Sequence, residues 1–328
     1  MKQTRRFRPY LPFFLLLTLV TLVACNEPEE DKLIWQRLGD FPGTARASAT
    51  TFVIGSKAYV CLGRSGVRDG FLKDVWAYDI ATDTWAQVAD FPGKPRVKAV
   101  AGVVNGKAYV GLGAVAAYQD SSLYQDWWQY DPANDAWIRM ADFPDKASND
   151  LFCATVNGKI YTTMGFNGTR RCRETYCYDP VSNTWSALTI APETYSGKAG
   201  FTLGDDFYVG TGFRGNNLVR IFKYNTVNDH WSRMENIPHG RMLGCGLSVA
   251  GKGYVLLGRF WNGALNGGRL LNDVAEYDPV SRGWTQLKPF PGGARQNASV
   301  FATDDEGFVL MGEDDVERKA DVWSFKAR

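Results

Sequence analysis

Histidine is almost missing from this chain. Only His230 and His239 occur in 328 residues, too few for a three-histidine metal centre. Cysteine is sparse as well. Cys25, Cys61, Cys153, Cys172, Cys177 and Cys245 are scattered, and their spacing does not resemble a zinc site. A long apolar run is absent: Leu11 to Leu22 carries no charge but is too short to span a bilayer comfortably. Basic runs are absent too. Of 37 Lys and Arg, four (Lys2, Arg5, Arg6 and Arg8) precede Cys25, which leaves 33 against 35 Asp and Glu, a balance of minus two. That balance supports neither nucleic-acid binding nor adhesion to a membrane surface through charge.

What the chain does have is a repeat. Tyr59, Tyr109, Tyr161, Tyr208, Tyr254 and Phe308 recur at steps of 50, 52, 47, 46 and 54 residues. Each is followed by a lone glycine: Gly63, Gly113, Gly165, Gly212, Gly258 and Gly312. A tyrosine then precedes a tryptophan by seven residues in Tyr78/Trp85, Tyr130/Trp137, Tyr178/Trp185, Tyr224/Trp231 and Tyr277/Trp284. A period near 50 predicts an all-β propeller whose blades bury their faces only by stacking on neighbours. Within a blade we expect four strands, in the first copy Ala47 to Ile54, Ala58 to Leu62, Asp74 to Asp79 and Thr84 to Val88. Pairs such as Asn105-Gly106 and Asn157-Gly158 suit tight hairpins between the first two.

The sixth copy ends at Arg328 before any outer tryptophan strand. Leu33 to Leu38 has the look of that strand and is followed by Phe41-Pro42-Gly43, as Val88 is followed by Phe91-Pro92-Gly93. Closure of the last of six blades by this amino-terminal strand follows, which removes the open sheet edges.

The run Tyr-Val-x-x-Gly, then Asp74-Val75-Trp76-Ala77-Tyr78-Asp79, then Thr82-Asp83-Thr84-Trp85 resembles the kelch repeat. The resemblance covers residues 33–328 and implies a six-bladed β-propeller, though not a reaction. One departure is consistent. Kelch repeats usually carry a glycine pair after the second strand, whereas here its first member is Leu62, Leu112, Met164, Thr211, Leu257 or Met311.

The amino terminus suggests where the protein works. Basic residues before a short apolar run have the layout of a secretory signal over residues 1–24. Leu22-Val23-Ala24-Cys25 resembles the bacterial lipobox, which would make Cys25 the lipidated first residue of the mature chain. Residues 25–32 then read as an acidic tether, similar to the export signal of Bacteroidetes-type outer-membrane lipoproteins. In an exported chain, Cys172 and Cys177 could form a local disulfide, while Cys61, Cys153 and Cys245 read as small buried hydrophobes.

Function is expected on the face that carries the long second-to-third and fourth-to-first loops. Thirteen residues before each second-strand aromatic stand Arg46, Arg96, Ser148, Tyr195, Arg241 and Arg295, a partial arginine ring near the channel mouth. Such a ring either ties loops together or offers guanidinium forks to a ligand carboxylate. Long loops add Tyr118, Tyr124, Arg170, Arg171, Arg173, Arg214, Phe260, Trp261 and Arg269, with Asp314, Asp315 and Glu317 on another blade. Trp261 and Arg214 are candidates for stacking on a sugar or anchoring a peptide.

No catalytic constellation stands out, and no cofactor or metal is expected. Copper radical oxidases with kelch propellers resemble the architecture, but they need two histidines at one centre, whereas the register puts His230 and His239 on opposite faces. Asp150, Glu193 and Glu313 are the loop-face acids. The favoured function is a lipid-anchored binding module for a glycan or peptide. The alternative is a sugar mutarotase resembling the periplasmic kelch enzymes that interconvert sialic acid anomers, with arginines on the carboxylate and an acid/base pair opening the ring.

Overall fold

Side chains along each strand alternate between the two faces of a sheet, and both faces here are apolar enough to need a neighbour. The computed structural model, which describes residues 31–68, 70–115, 122–146, 148–263 and 267–328, meets that need with six four-stranded antiparallel sheets around a central axis. The segment read as a signal, Cys25, most of the stretch read as a tether and Tyr118 lie outside the described residues.

Blade one consists of Thr50–Ile54, Lys57–Cys61, Val75–Asp79 and Thr84–Val88, from the axis outward. Inner strands of the next four blades are Val100–Val104, Phe152–Val156, Ala199–Leu203 and Cys245–Val249. Blade six starts with Ser299–Ala302 and Glu306–Leu310, continues to Val322–Ala327, and takes Leu33–Arg37 as its outer strand. Trp35 pairs with Phe325 there, in a register running from Leu33 opposite Ala327 to Arg37 opposite Trp323. The amino-terminal strand therefore closes the ring.

The two repeated aromatic signals turn out to meet each other. Each second-strand aromatic packs on the third-strand tyrosine of the following blade: Tyr59 on Tyr130, Tyr109 on Tyr178, Tyr161 on Tyr224 and Tyr208 on Tyr277, with ring centroids 5.2–6.2 Å apart. Tyr254 on Phe325 and Phe308 on Tyr78 complete the circuit. The tryptophan is a second link. Indole N–H groups of Trp137, Trp185 and Trp231 donate to the carbonyls of Ala89, Ala141 and Thr189 at the end of the preceding blade.

Strand limits differ from expectation at the axis. The inner strand begins at Thr50 rather than Ala47, because Ser48 adopts a left-handed conformation (φ 55°) that breaks the extended run. The second strand covers Lys57–Cys61, one residue earlier than read, because Leu62 is also left-handed (φ 64°). Leu62 occupies the first position of the usual kelch glycine pair, and so do Leu112, Met164, Thr211, Leu257 and Met311, all at positive φ and all fully buried. A left-handed non-glycine residue costs about 1–2 kcal/mol. Burying a leucine or methionine side chain contributes about 1.5–3 kcal/mol, so packing outweighs strain and no glycine is needed. The next position has no such option: at Gly258 (φ 100°) a Cβ would come 2.6 Å from the Met242 carbonyl oxygen.

Candidate functional site: the mouth of the channel

Long second-to-third loops and fourth-to-first connections do share one face. Isolated bridges join them in every blade, among them Ala47 to Arg64, Asn149 to Phe166 and Gln296 to Glu313. The arginine register lies just beneath. Arg46, Arg96, Arg241 and Arg295 are at most 1% exposed. Each places its guanidinium fork on the aspartate just before the third strand: Arg46 on Asp74 at 2.7 and 2.8 Å, Arg241 on Asp273 at 2.7 and 2.8 Å, Arg295 on Asp321 at 2.6 and 2.8 Å, and Arg96 on both oxygens of Asp126. A further N–H of each reaches the carbonyl of Leu62, Leu112, Leu257 or Met311, the same left-handed residues described above. The phenylalanine of the Phe-Pro motif supports the cation in three blades, as Phe41, Phe91 and Phe290 lie 4.9–5.1 Å below Arg46, Arg96 and Arg295.

These forks are already filled by the chain's own carboxylates, which corrects the expectation that they await a ligand. Burial works to raise the acids, but the arginine hydrogen bonds and charge win and hold Asp74, Asp126 and Asp321 below the ordinary carboxylate range. Where the arginine is replaced, the partner changes too. At Ser148 the hydroxyl donates to the Lys146 carbonyl and meets the Cys172 thiol, and the third strand is preceded by Glu174, which pairs with Arg170. At Tyr195 the hydroxyl donates to Glu193, and the aspartate position holds Arg220, which takes the same Glu193 at 2.7 Å. Six blades thus keep a loop tie in this layer with three different chemistries.

Trp261 and Arg214 come out differently. Trp261 is half-buried; its backbone is clasped by the Asn217 amide and its ring stands 6.2 Å from Phe213, so it binds its loop to that of blade four. Arg214 is exposed on that blade-four loop. Arg171 donates to the Ser196 hydroxyl at 3.0 Å, and Arg173 to the Ala191 carbonyl at 2.7 Å. Asp314 and Glu317 share Lys319, while Asp315 pairs with the buried Arg259. His239 approaches Asp273 at 3.3 Å on the loop face, and His230 starts the outer strand at the opposite end of the same blade. Cys172 and Cys177 are both free thiols. Burial pushes Cys61, Cys153 and Cys245 up to about 12, and Cys153 and Cys245 turn their thiols toward the Ala101 and Ala298 carbonyls of neighbouring blades.

The mouth itself is framed two residues further on, by Ser48, Lys98, Asp150, Gly197, Leu243 and Asn297, all at positive φ. Backbone bonds run from blade to blade around it: Lys98 N–H to Ser48, Ser48 to Asn297, Asn297 to Leu243 and Leu243 to Gly197. At Asp150 the pattern changes. Gly197 N–H donates to the Asp150 carboxylate at 2.8 Å instead of to a backbone carbonyl, and Lys98 and Lys198 both stand 3.5 Å from that carboxylate. Burial would raise Asp150, yet the charges of Lys198 and Lys98 hold it low; burial lowers Lys198 despite Asp150. Beside this cluster lies a pocket of about 200 Å³ bordered by Lys98, Asn149, Asp150, Phe166, Arg171 and Ser196. Asn149 is 2% exposed, and its side-chain N–H₂ has no hydrogen-bond partner among the described residues. Nothing in the arginine register marked this spot, because its six residues share a backbone conformation and not a residue type.

The kelch motif matches at residues 45–92 and 150–190. The chain is similar to Kelch-like protein 25 of Xenopus tropicalis, 29% identical over 261 residues that make up 77% of this chain and 42% of that protein. Kelch-like protein 35 of Mus musculus is 26% identical over 61% of this chain and 33% of its own length. The chain thus spans well under half of these relatives. The fold is similar to that in "Structure of YjhT", with a TM-score of 0.72 at 17% identity, covering 87% of this chain and 95% of that one. The chain carries kelch repeats in a six-bladed β-propeller.

Proposed function

We propose that this kelch propeller is an exported, lipid-anchored binding module that takes a carboxylate-bearing glycan or an acidic peptide at the channel mouth beside blades two to four. The observation that carries the reading is Asn149, a buried amide donor with no acceptor among the described residues, at a pocket whose other polar walls include Lys98 and Arg171. A buried donor left unpaired costs roughly 1–3 kcal/mol, and an incoming carboxylate relieves that cost while meeting two cations. Phe166 supplies an apolar wall against which a sugar ring or an aliphatic segment can pack. At about 200 Å³ the pocket suits one sugar residue or one side chain rather than a whole ligand, so the surrounding loops would hold the remainder.

Glycan and peptide arrays probed with wild type and with Lys98→Glu test this. Binding to acidic members that collapses in the variant supports it, and binding confined to neutral or basic members, or unchanged by the variant, refutes it. The anchor has its own test: Cys25→Ser should release the protein from membranes, and unchanged fractionation argues against lipidation.

Anomer interconversion of a sugar acid is the second reading, favoured by the Asp150–Lys198 pair and the lowered Lys198. It ranks below binding because Asp150 is already held by two lysines and an N–H. Faster exchange between sialic acid anomers in the presence of the protein, followed by NMR, would reverse that order.

A further inference from the structure

Four blades share a second device at the opposite, hairpin end, and the fifth lacks its key part. In blades one to four the third-strand tyrosine donates to the residue five positions on: Tyr78 to Asp83, Tyr130 to Asp135 and Tyr178 to Asn183 at 2.8 Å, and Tyr224 to Asp229 at 2.5 Å. The same side chain accepts a backbone N–H from the end of the preceding blade: Gly39 at 3.5 Å, and Ala89, Ala141 and Thr189 each at 2.9 Å. One side chain therefore closes each of these blade junctions, through a single oxygen of Asp135, Asn183 and Asp229 and through both carboxylate oxygens of Asp83.

In blade five the fifth residue after Tyr277 is Arg282, held in the same left-handed turn (φ 57°). A donor has replaced the acceptor. Glu235 occupies the place of Ala89, Ala141 and Thr189, since its carbonyl receives the Trp284 indole at 3.3 Å, and its N–H makes no hydrogen bond among the described residues. Arg282 is exposed and has no hydrogen-bond or ion-pair partner among the described residues. Its charge acts on the hydroxyls of Tyr208 and Tyr277, which face each other. Next to this junction a cleft of about 840 Å³ opens between blades four and five, within the range of small-molecule sites. Its charged lining adds Lys223, which pairs with Asp206 at 2.8 Å, as well as Arg233 and Glu235. Counting Arg282, three cations face two acids.

We propose that this cleft is a second binding site, for a small organic carboxylate whose oxygens take the place that Asp83, Asp135, Asn183 and Asp229 fill in the other blades. The carboxylate would accept from Arg282, the Tyr277 hydroxyl and the Glu235 N–H, and so bridge blades four and five. The site is independent of the channel mouth and lies at the other end of the blades.

Glutarate provides the probe, with acetamide and sodium chloride at matched ionic strength as controls. Thermal melting and saturation-transfer NMR are read on the full-length wild type, Arg282→Ala and Arg282→Asp. Glutarate should raise the wild-type Tm beyond the salt control and give a transfer signal. Arg282→Ala should lose roughly tenfold or more in glutarate affinity, as expected for a charge-assisted contact. Arg282→Asp should restore the built-in acceptor, so its Tm without ligand should exceed that of wild type and should not respond to glutarate. No glutarate-specific effect on wild type, or an equal effect on wild type and Arg282→Asp, overturns the proposal.

Discussion

Replacing Arg46 by alanine should destabilise the propeller severely without touching the pocket at the channel mouth. Arg46 is fully buried and makes four hydrogen bonds, two to Asp74 and one each to the Leu62 and Thr44 carbonyls, with a stacking contact over Phe41. Alanine leaves Asp74, only 22% exposed, with the Trp76 indole as its remaining side-chain donor, and leaves the Leu62 carbonyl without the guanidinium. Removing one partner of a buried pair costs about 3–5 kcal/mol. With each 1 kcal/mol moving Tm by roughly 2–4 °C in a domain of this size, the expected drop is on the order of 10 °C. Arg46→Lys keeps the charge but not the fork, and should fall between alanine and wild type. Thermal melting and urea unfolding measure all three. A loss below about 1 kcal/mol for Arg46→Ala would place it among exposed ion pairs and refute the structural role of the ring.

Three further outcomes are expected. Deleting residues 33–37 removes the outer strand of blade six, including Trp35 with its contacts to Phe290 and Phe325, and should lower Tm far more than an equal deletion in an exposed turn; a truncated chain melting with wild type would contradict closure. Asp74, Asp126 and Asp321 have folded pKa values below ordinary, so their contribution is complete above the unfolded value near ~3.9 and is lost as the pH falls from there through the depressed folded values. Unfolding followed by circular dichroism should show that acid loss, weakened in a variant with Asp126→Asn. Cys61, Cys153 and Cys245 should resist iodoacetamide at pH 8 in the native protein and react once it is unfolded, since burial holds them up at about 12; rapid native alkylation read by mass spectrometry would show that they are reachable.

The repeat made the fold legible because every blade solves the same packing problem with the same aromatic residues. Tyr59, Tyr78 and Trp85 carry the blade contacts, and the likeness of Leu33–Leu38 to Thr84–Val88 disclosed the closure. The arginine register was legible as a position but not as a role. Its partners were in plain view: Asp74, Asp126, Asp273 and Asp321 stand 28, 30, 32 and 26 residues after their arginines. The two blades without the arginine also lack the aspartate, carrying Glu174 and Arg220 instead, and that joint change marks a pair rather than a free ring. The cluster of Lys98, Asp150 and Lys198 was not legible, because three blades meet there and only the ring geometry brings residues some 50 positions apart within 3.5 Å.

The most direct test of the account compares two variants on one ligand, the acidic glycan or peptide with the highest affinity on the arrays. Lys98→Ala changes a wall of the pocket, whereas Arg46→Lys changes the buried layer in blade one. Calorimetric titration below the melting temperature of both should give a loss of tenfold or more in affinity for Lys98→Ala and near-wild-type affinity for Arg46→Lys. Affinity lost in Arg46→Lys and kept in Lys98→Ala would contradict the account and return recognition to the arginine ring.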